Sequence, residues 1–395
     1  MKLKPYKILG LLPVTEITFR RWLRFLADRR ALVSMILVGL IFGTSLFANV
    51  IATDRPLYVS YKGQSYFPFM VEYPESEFNG FAGPTNYYDP FIAEEINDNG
   101  YMVWPVVPYH FRRVVKDAGA EFPSAPDANH WLGTDDKGRD VVSRLIYGIR
   151  VSFLFGFMYV AITAVVGIAA GAVMGYFGGW VDLLFQRILE IYGSLPTLFI
   201  IIAIAGLVQP NFWLLLGLLS IFGWTGYVGT IRAEFLKARN YQYITAARAL
   251  GVSNVTVMWR HVFPNAMVGT ITFMPFALAG SVTVLSGLDF LGFGLPPGSP
   301  SLGEMTRQGL ANIRKWWLVY PIFVGLGGIT MLMVFIGEGV RNAMDPRKAI
   351  RIRLPKKHAG AVQPGDAAGD AAGEAAAQAA GETVAAPSAA PEAKP

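Results

Sequence analysis

The residues able to carry chemistry in this sequence are few and far apart. His110, His130, His261 and His358 are scattered, with no short ligand pair among them, and there is no cysteine. The pattern therefore offers neither a disulfide framework nor a Cys-built zinc site, and predicts no metal centre. The acidic turn Gly133-Thr134-Asp135-Asp136-Lys137-Gly138-Arg139 has the residue types of a calcium loop. Its spacing departs from the EF-hand order, and Arg follows its second glycine. No G-x-x-x-x-G-K-[ST] run is present to cradle nucleotide phosphates. No nucleophile, base and orienting group form a set. What stands out instead is a stretch built for docking, Tyr243 to Asn265. Ile244, Ala247 and Leu250 repeat at helical spacing, and Gly251 ends that helix because glycine enters the left-handed conformation without strain. Ser253 or Asn254 can cap a second helix, which carries Val255, Met258, Trp259 and Val262 on one face and is expected to end at Pro264. The product is two short helices joined at a glycine, with Arg248, Arg260 and His261 outside. Such a knob suits a groove on another protein; the plain alternative is an amphipathic surface hairpin with no partner.

The elements that must position this stretch are apolar. Hydrophobic residues make up 53% of the 395 and charged residues only 16%, too apolar for a soluble chain of this size. Residues 1–30 are basic and read as a cytoplasmic, partly interfacial segment containing Trp22 and Phe25. Ala31–Val50 is the first span. Val50-Ile51-Ala52 has the look of a signal cleavage site, but the apolar run exceeds a signal h-region, so an uncleaved span is expected. Residues 51–150 are rich in Tyr, Phe, Pro, Asn and acidic groups, and the basic flank before them places them outside the cytoplasm. They predict a compact cap of short strands and loops, either a covering loop or a docking surface for a periplasmic partner. Within it, Thr134 or Asp135 is expected to cap an interfacial helix with Val141, Val142, Leu145 and Ile146 on one side and Arg139, Arg144 and Arg150 elsewhere.

The remaining spans are Val151–Phe177, Val181–Val208, Phe212–Gly229, Met267–Leu288 and Leu318–Gly337. Gly167, Gly171 and Gly175 bare one face of the second span for close helix packing. Asp182, Arg187 and Glu190 stand in the first turns of the third, Arg187 and Glu190 at pairing distance, and Pro196 kinks it. Pro275 is a second kink. Asp289 to about Trp317 reads as a Gly- and Pro-rich external loop with Trp316 and Trp317 as interfacial anchors. Lys356 onward is Ala-, Gly-, Glu- and Pro-rich and is expected to be disordered. Six spans put both termini in the cytoplasm and the basic loops there too, so topology and charge agree. The net charge of +6 then reflects cytoplasmic flanks and not nucleic acid.

Ala246, Ala247, Gly251 and Pro264 match, at the right spacing, the EAA loop of ABC-importer permeases, the segment by which a membrane subunit docks on its ATPase. The match departs at Thr245, which stands where Glu is usual, and any salt bridge made by that Glu does not carry over. His261 with Pro264 and Asn265 resembles the peptide-transporter branch. So do Leu132-Gly133-Thr134-Asp135 through Gly138-Arg139-Asp140, and LDFLGFGLPPGSPSLGEM from Leu288 to Met305. DRPLYVSYKGQSYFPF and NFWLLL are similar to members that import oligopeptides and microcin C. The resemblance covers about His130 to Arg347. It implies an all-α membrane protein with six transmembrane helices of the ABC-importer permease type and an extracytoplasmic insertion between helices 1 and 2. The organisation is then a basic segment (1–30), helix 1 (31–50), the periplasmic insertion with its interfacial helix (51–150), the permease core (151–347) with its docking loop (241–265), and a tail (348–395). The docking residues implied are Thr245, Ala246, Ala247, Gly251, His261, Pro264 and Asn265. The chain would have no cofactor of its own; ATP and Mg would sit on the ATPase. Its partners would be a second permease subunit in a heterodimer, ABC ATPase subunits, a periplasmic peptide-binding protein and membrane lipid, with no nucleic acid, in a bacterial inner membrane. Substrates other than peptides, nickel chelates or opines, are the alternative; a channel outside this family is a more distant one.

Overall fold

Backbone amides inside a bilayer have no water to pair with, so apolar segments can cross only as helices or closed barrels. The computed structural model, which describes residues 6–8, 12–14, 16–115 and 121–345, is helical. After a two-stranded antiparallel hairpin, β1 (Tyr6–Ile8) and β2 (Leu12–Val14), come α1 (Glu16–Ala27), α2 (Arg29–Leu46) and the single turn α3 (Ala48–Ile51). An insertion holds β3 (Tyr58–Tyr61), β4 (Gln64–Tyr66), α4 (Pro90–Asp98) and β5 (Gly100–Val103). Then follow α5 (Val141–Phe177), α6 (Gly179–Ser194), α7 (Thr197–Leu207), α8 (Phe212–Gly223) and α9 (Thr225–Ala238). The chain ends its described part with α10 (Gln242–Ala249), α11 (Asn254–Thr256), α12 (Phe263–Leu291), α13 (Leu302–Ala311) and α14 (Trp316–Met344). Among the described residues five helical runs are long and apolar enough to cross a membrane, and α6 with α7, bent by 64°, makes a sixth.

α5 is the central post. At 37 residues it is about 55 Å long. Its Gly167, Gly171 and Gly175 meet α9 so closely that a Cβ at Gly171 would lie 2.9 Å from the Ile231 Cβ, and one at Gly175 2.5 Å from the Phe235 Cβ. Small residues at this spacing let two backbones approach where lipid provides no hydrophobic drive. On another side Phe153, Val160, Leu278, Ile329, Met333 and Val38 form the core shared by α5, α12, α14 and α2. α1, through Phe25, and the start of α2, through Ala31, lie against Ala343 of α14, and Arg24 donates to the Asp345 carbonyl at 3.2 Å.

The insertion has its own core. β3 pairs antiparallel with both β4 and β5, Val59 opposite Tyr66 and Met102. Val59, Tyr61, Tyr66, Phe78, Tyr87, Ile92 and Ile96 pack under the sheet. The short strands match the expectation, while α4, capped by Asp89 and opened by Pro90, is a helix that the residue pattern did not announce.

Three expectations change and one is sharpened. No separate interfacial helix precedes the second span: α5 begins at Val141 and runs unbroken, and its cap is Asp140, whose carboxylate accepts from the Ser143 amide at 2.7 Å, not Thr134 or Asp135. The kink expected at Pro196 is present and goes as far as a break at Leu195–Pro196, with a bend of 64°. The loop after α12 contains a helix, α13, capped by Ser301. Pro264 does not end a helix: Asn254 to Leu291 is one continuous run. A proline ring collides with the carbonyl four residues earlier in an α-helix, here that of Arg260. Val257–Val262 is wound as a wider π turn just before it, the Phe263 amide donating to the Met258 carbonyl five residues back, and this wider winding takes up the Pro264 ring without ending the run. Lys2, Lys4, His358 and the low-complexity tail lie outside the described residues.

Candidate functional site

The stretch Tyr243–Asn265 caps one end of the α5–α9 pair. α10 ends at Ala249 with Leu250 as its C-cap, and Gly251 takes φ +79°. The Gly251 amide donates to the Arg248 carbonyl (2.9 Å) and the Val252 amide to the Ala247 carbonyl (3.1 Å). These two bonds are a Schellman closure, which needs a left-handed residue at this position. Ser253 then caps α11, its hydroxyl accepting from the Thr256 amide. The glycine joint expected from the sequence is therefore present, and of its two candidate caps Ser253 is used.

The loop is clamped to the bundle by its apolar residues. Ile244, Val257 and Val262 are fully buried with Tyr176, Ile231 and Phe235. Of the expected stripe, Val262 faces inward, whereas Val255 and Trp259 are exposed, as is Leu250 at 83%. The π turn is the reason: its wider winding brings Val257 and Val262, five residues apart, to the same inward face, so the α-helical spacing no longer selects it. Thr245, Ala246, Pro264 and Asn265 are exposed, and Ala247 and His261 are half-buried. The Asn265 amide donates to the His261 carbonyl at 3.2 Å and to the Tyr243 hydroxyl at 3.4 Å, tying the end of the stretch to its beginning. Among the described residues the Thr245 hydroxyl bonds only the Tyr241 carbonyl, four residues back.

One residue that the sequence reading missed holds both halves of the joint. The Tyr176 hydroxyl, near the end of α5, donates to Asn254 Oδ1 (2.8 Å) and accepts from Arg248 Nε (3.3 Å). The Arg248 guanidinium also lies 4.7 Å from the centre of the Tyr176 ring. Arg248 precedes Gly251 and Asn254 follows it, so one hydroxyl spans the hinge. Beside it, Arg232 of α9 binds Asp182 of α6 through two bonds of 2.5 and 2.7 Å. Arg187 pairs with Glu190 as expected, on the exposed side. Tyr176→Phe keeps the ring but removes both hydrogen bonds, about 0.5–1.5 kcal/mol each. Given the docking role that the resemblance implies, the expected outcome is a folded protein with normal membrane abundance that binds an ATPase more weakly; unaltered co-purification of the ATPase would show that the hydroxyl does not position the loop.

The other end of α5 carries a buried polar knot. Asp135 Oδ1 accepts from the Lys137 and Arg139 amides, and Oδ2 receives Arg139 Nε at 2.8 Å with Arg144 Nε 3.5 Å away. His130 Nδ1 lies 2.8 Å from Asp140 Oδ2. Arg144, wholly buried, donates to the Ser299 carbonyl at 3.3 Å and so joins α5 to the segment before α13. Asp289 binds the Ser301 hydroxyl and the Leu295 amide and closes the same segment. Arg139 and Arg144 were expected at a headgroup surface; they are internal because a carboxylate lies within reach of both.

Comparison with known proteins agrees with this architecture. Residues 167–350 match the model of the binding-protein-dependent transport system inner membrane component family. The peptidoglycan transport system permease protein YejE of Agrobacterium fabrum is 48% identical over 358 residues, covering 85% of this chain and 94% of that protein. The inner membrane ABC transporter permease protein YejE of Escherichia coli is 47% identical over 331 residues, 84% of this chain and 97% of that protein. The oligopeptide transport system permease protein OppC of Lactococcus lactis is 38% identical over 232 residues, 58% of this chain and 79% of that protein. The chain belongs to this family of ABC-importer permeases: it is an inner-membrane transport component and not an enzyme. Within the family it falls in the peptide-permease branch.

Proposed function

We propose that this chain carries peptides, or peptide-like compounds of the oligopeptide and microcin C kind, through the membrane as one permease of a heterodimer. The observation that carries the reading is the Gly251 joint: a rigid double turn, clamped to α5 and α9, that presents Leu250, Val255 and Trp259 to a partner. Exposed apolar side chains around a rigid turn suit a groove on the ATPase, and Thr245, Ala246, Ala247, His261, Pro264 and Asn265 form the rest of that contact. ATP and Mg are held by the ATPase. A periplasmic binding protein delivers the peptide at the end where the insertion and the Asp135 knot lie, and in this reading both termini are cytoplasmic. The relatives named for peptidoglycan and oligopeptide transport support peptides over nickel chelates or opines, and fragments of cell-wall peptide fall within that class.

The test is uptake of a labelled oligopeptide by cells lacking this gene and all other peptide importers. Uptake is expected to vanish on deletion and return with the gene, with ion leak unchanged. Intact uptake together with altered ion conductance would favour a channel. The purified chain alone is expected to show no saturable nucleotide binding, since it has no phosphate loop.

A further inference from the structure

Non-helical backbone at membrane depth persists only where protein buries it or a polar cavity meets it. The break at Leu195–Pro196 is followed at once by Thr197 and Leu198, which line a largely apolar cavity. About 510 Å³ lies between α5, α7, α8 and α12, within the range of ligand pockets. Ile201, Leu219 and Leu288 supply apolar wall, and no lining residue is charged. Two hydroxyls enter this space, from Tyr159 on α5 and from Thr197 at the first position of α7. Neither donates to any group among the described residues. Tyr159 is seated by Gly223: a Cβ there would collide with the phenol oxygen. The notch in α8 thus gives the Tyr159 hydroxyl room at the cavity wall.

A larger cavity, about 640 Å³ between α12, α13 and α14, has hydroxyls whose donors are already used. Its Thr283, Thr306 and Thr330 each bond the carbonyl four residues back, at 3.0, 2.7 and 2.8 Å. They have no donor left for a ligand. The cavity at the broken helix differs in keeping its hydroxyls free.

We propose that the cavity at the α6–α7 break is where the transported peptide contacts this subunit. Tyr159 and Thr197 hydrogen-bond its amide groups, and Ile201, Leu219 and Leu288 take apolar side chains. With no charge in the wall, this site binds the uncharged middle of a peptide and does not read its termini. The inference rests on the peptide-permease reading above.

The chain has no cysteine, so single cysteines report directly. Leu198 lines the cavity, whereas its neighbour Phe199 does not and is 70% exposed. In the complete importer, reconstituted in lipid nanodiscs with its ATPase, second permease and binding protein, Leu198→Cys and Phe199→Cys are treated with a neutral thiol reagent. An apolar oligopeptide, present at saturation during turnover, is expected to slow modification of Leu198→Cys several-fold and leave Phe199→Cys unchanged. In the same system Tyr159→Phe is expected to raise the peptide concentration for half-maximal transport by about three- to tenfold, as loss of one hydrogen bond would, with little change in maximal rate. Peptide transport by the unsubstituted importer is measured first. If it is absent, the peptide reading itself falls and the site with it. If it is present but peptide leaves both cysteines equally reactive, only the cavity assignment falls. Slowing that follows added lipid and ignores peptide identifies a lipid cleft and likewise overturns the site.

Discussion

Gly251→Val is expected to leave the protein inserted and folded but to weaken its hold on the ATPase proposed to dock at this loop. An added Cβ meets nothing within 4 Å, so no clash drives the effect. The strain is in the backbone: at φ +79° a β-branched residue costs on the order of 1–3 kcal/mol. Relief comes by leaving the left-handed region, which breaks the Val252–Ala247 and Gly251–Arg248 bonds and turns α11 relative to α10. Leu250 and Val255, on either side of the joint, then no longer present one surface. The buried anchors Ile244, Val257 and Val262 belong to separate halves, so the spans keep their packing. Gly251→Ala should be milder, and Thr245→Ala milder still, since Thr245 bonds only its own helix. The measurement is co-purification of the ATPase at equal membrane abundance, with transport in parallel. Full retention of both by Gly251→Val would reduce the loop to a surface hairpin.

Asp135→Ala is expected to be the most destabilising single change outside the spans. It leaves Arg139 and Arg144 buried without their shared carboxylate and removes the acceptor for two amides of the turn. Removing one partner of a buried pair costs roughly 3–5 kcal/mol, because the remaining charge stays desolvated. The thermal unfolding midpoint in detergent should fall sharply, with lower membrane abundance. Adding Arg139→Met should recover part of the loss, since it removes one of the stranded cations. A midpoint unchanged in Asp135→Ala would mean that the knot is reached by water and does not hold α5 to the Ser299 segment.

Local sequence rules were sufficient where one residue type has one physical outcome. Gly251 reads as a left-handed stop because few other residues tolerate that backbone, and Gly167, Gly171 and Gly175 read as a packing face because bare helix surface admits a neighbour. The apolar runs marked the spans for the same reason: a bilayer leaves them no other form. Local rules failed where the partner is distant or the chain has a second way out. Pro264 signals a helix end, yet the π turn before it lets the helix continue. Arg139 and Arg144 look like surface residues by polarity alone; Gly133 and Gly138, both at positive φ, fold Asp135 back to meet them. Tyr176 is silent in sequence because Arg248 and Asn254 lie more than seventy residues away. Pro196 predicts a bend, but only the packing of α5, α8 and α12 decides that the bend opens beside a cavity holding two free hydroxyls. Span and hinge are properties of single segments; what the hinge is fastened to, and what the break faces, exist only once the helices have packed.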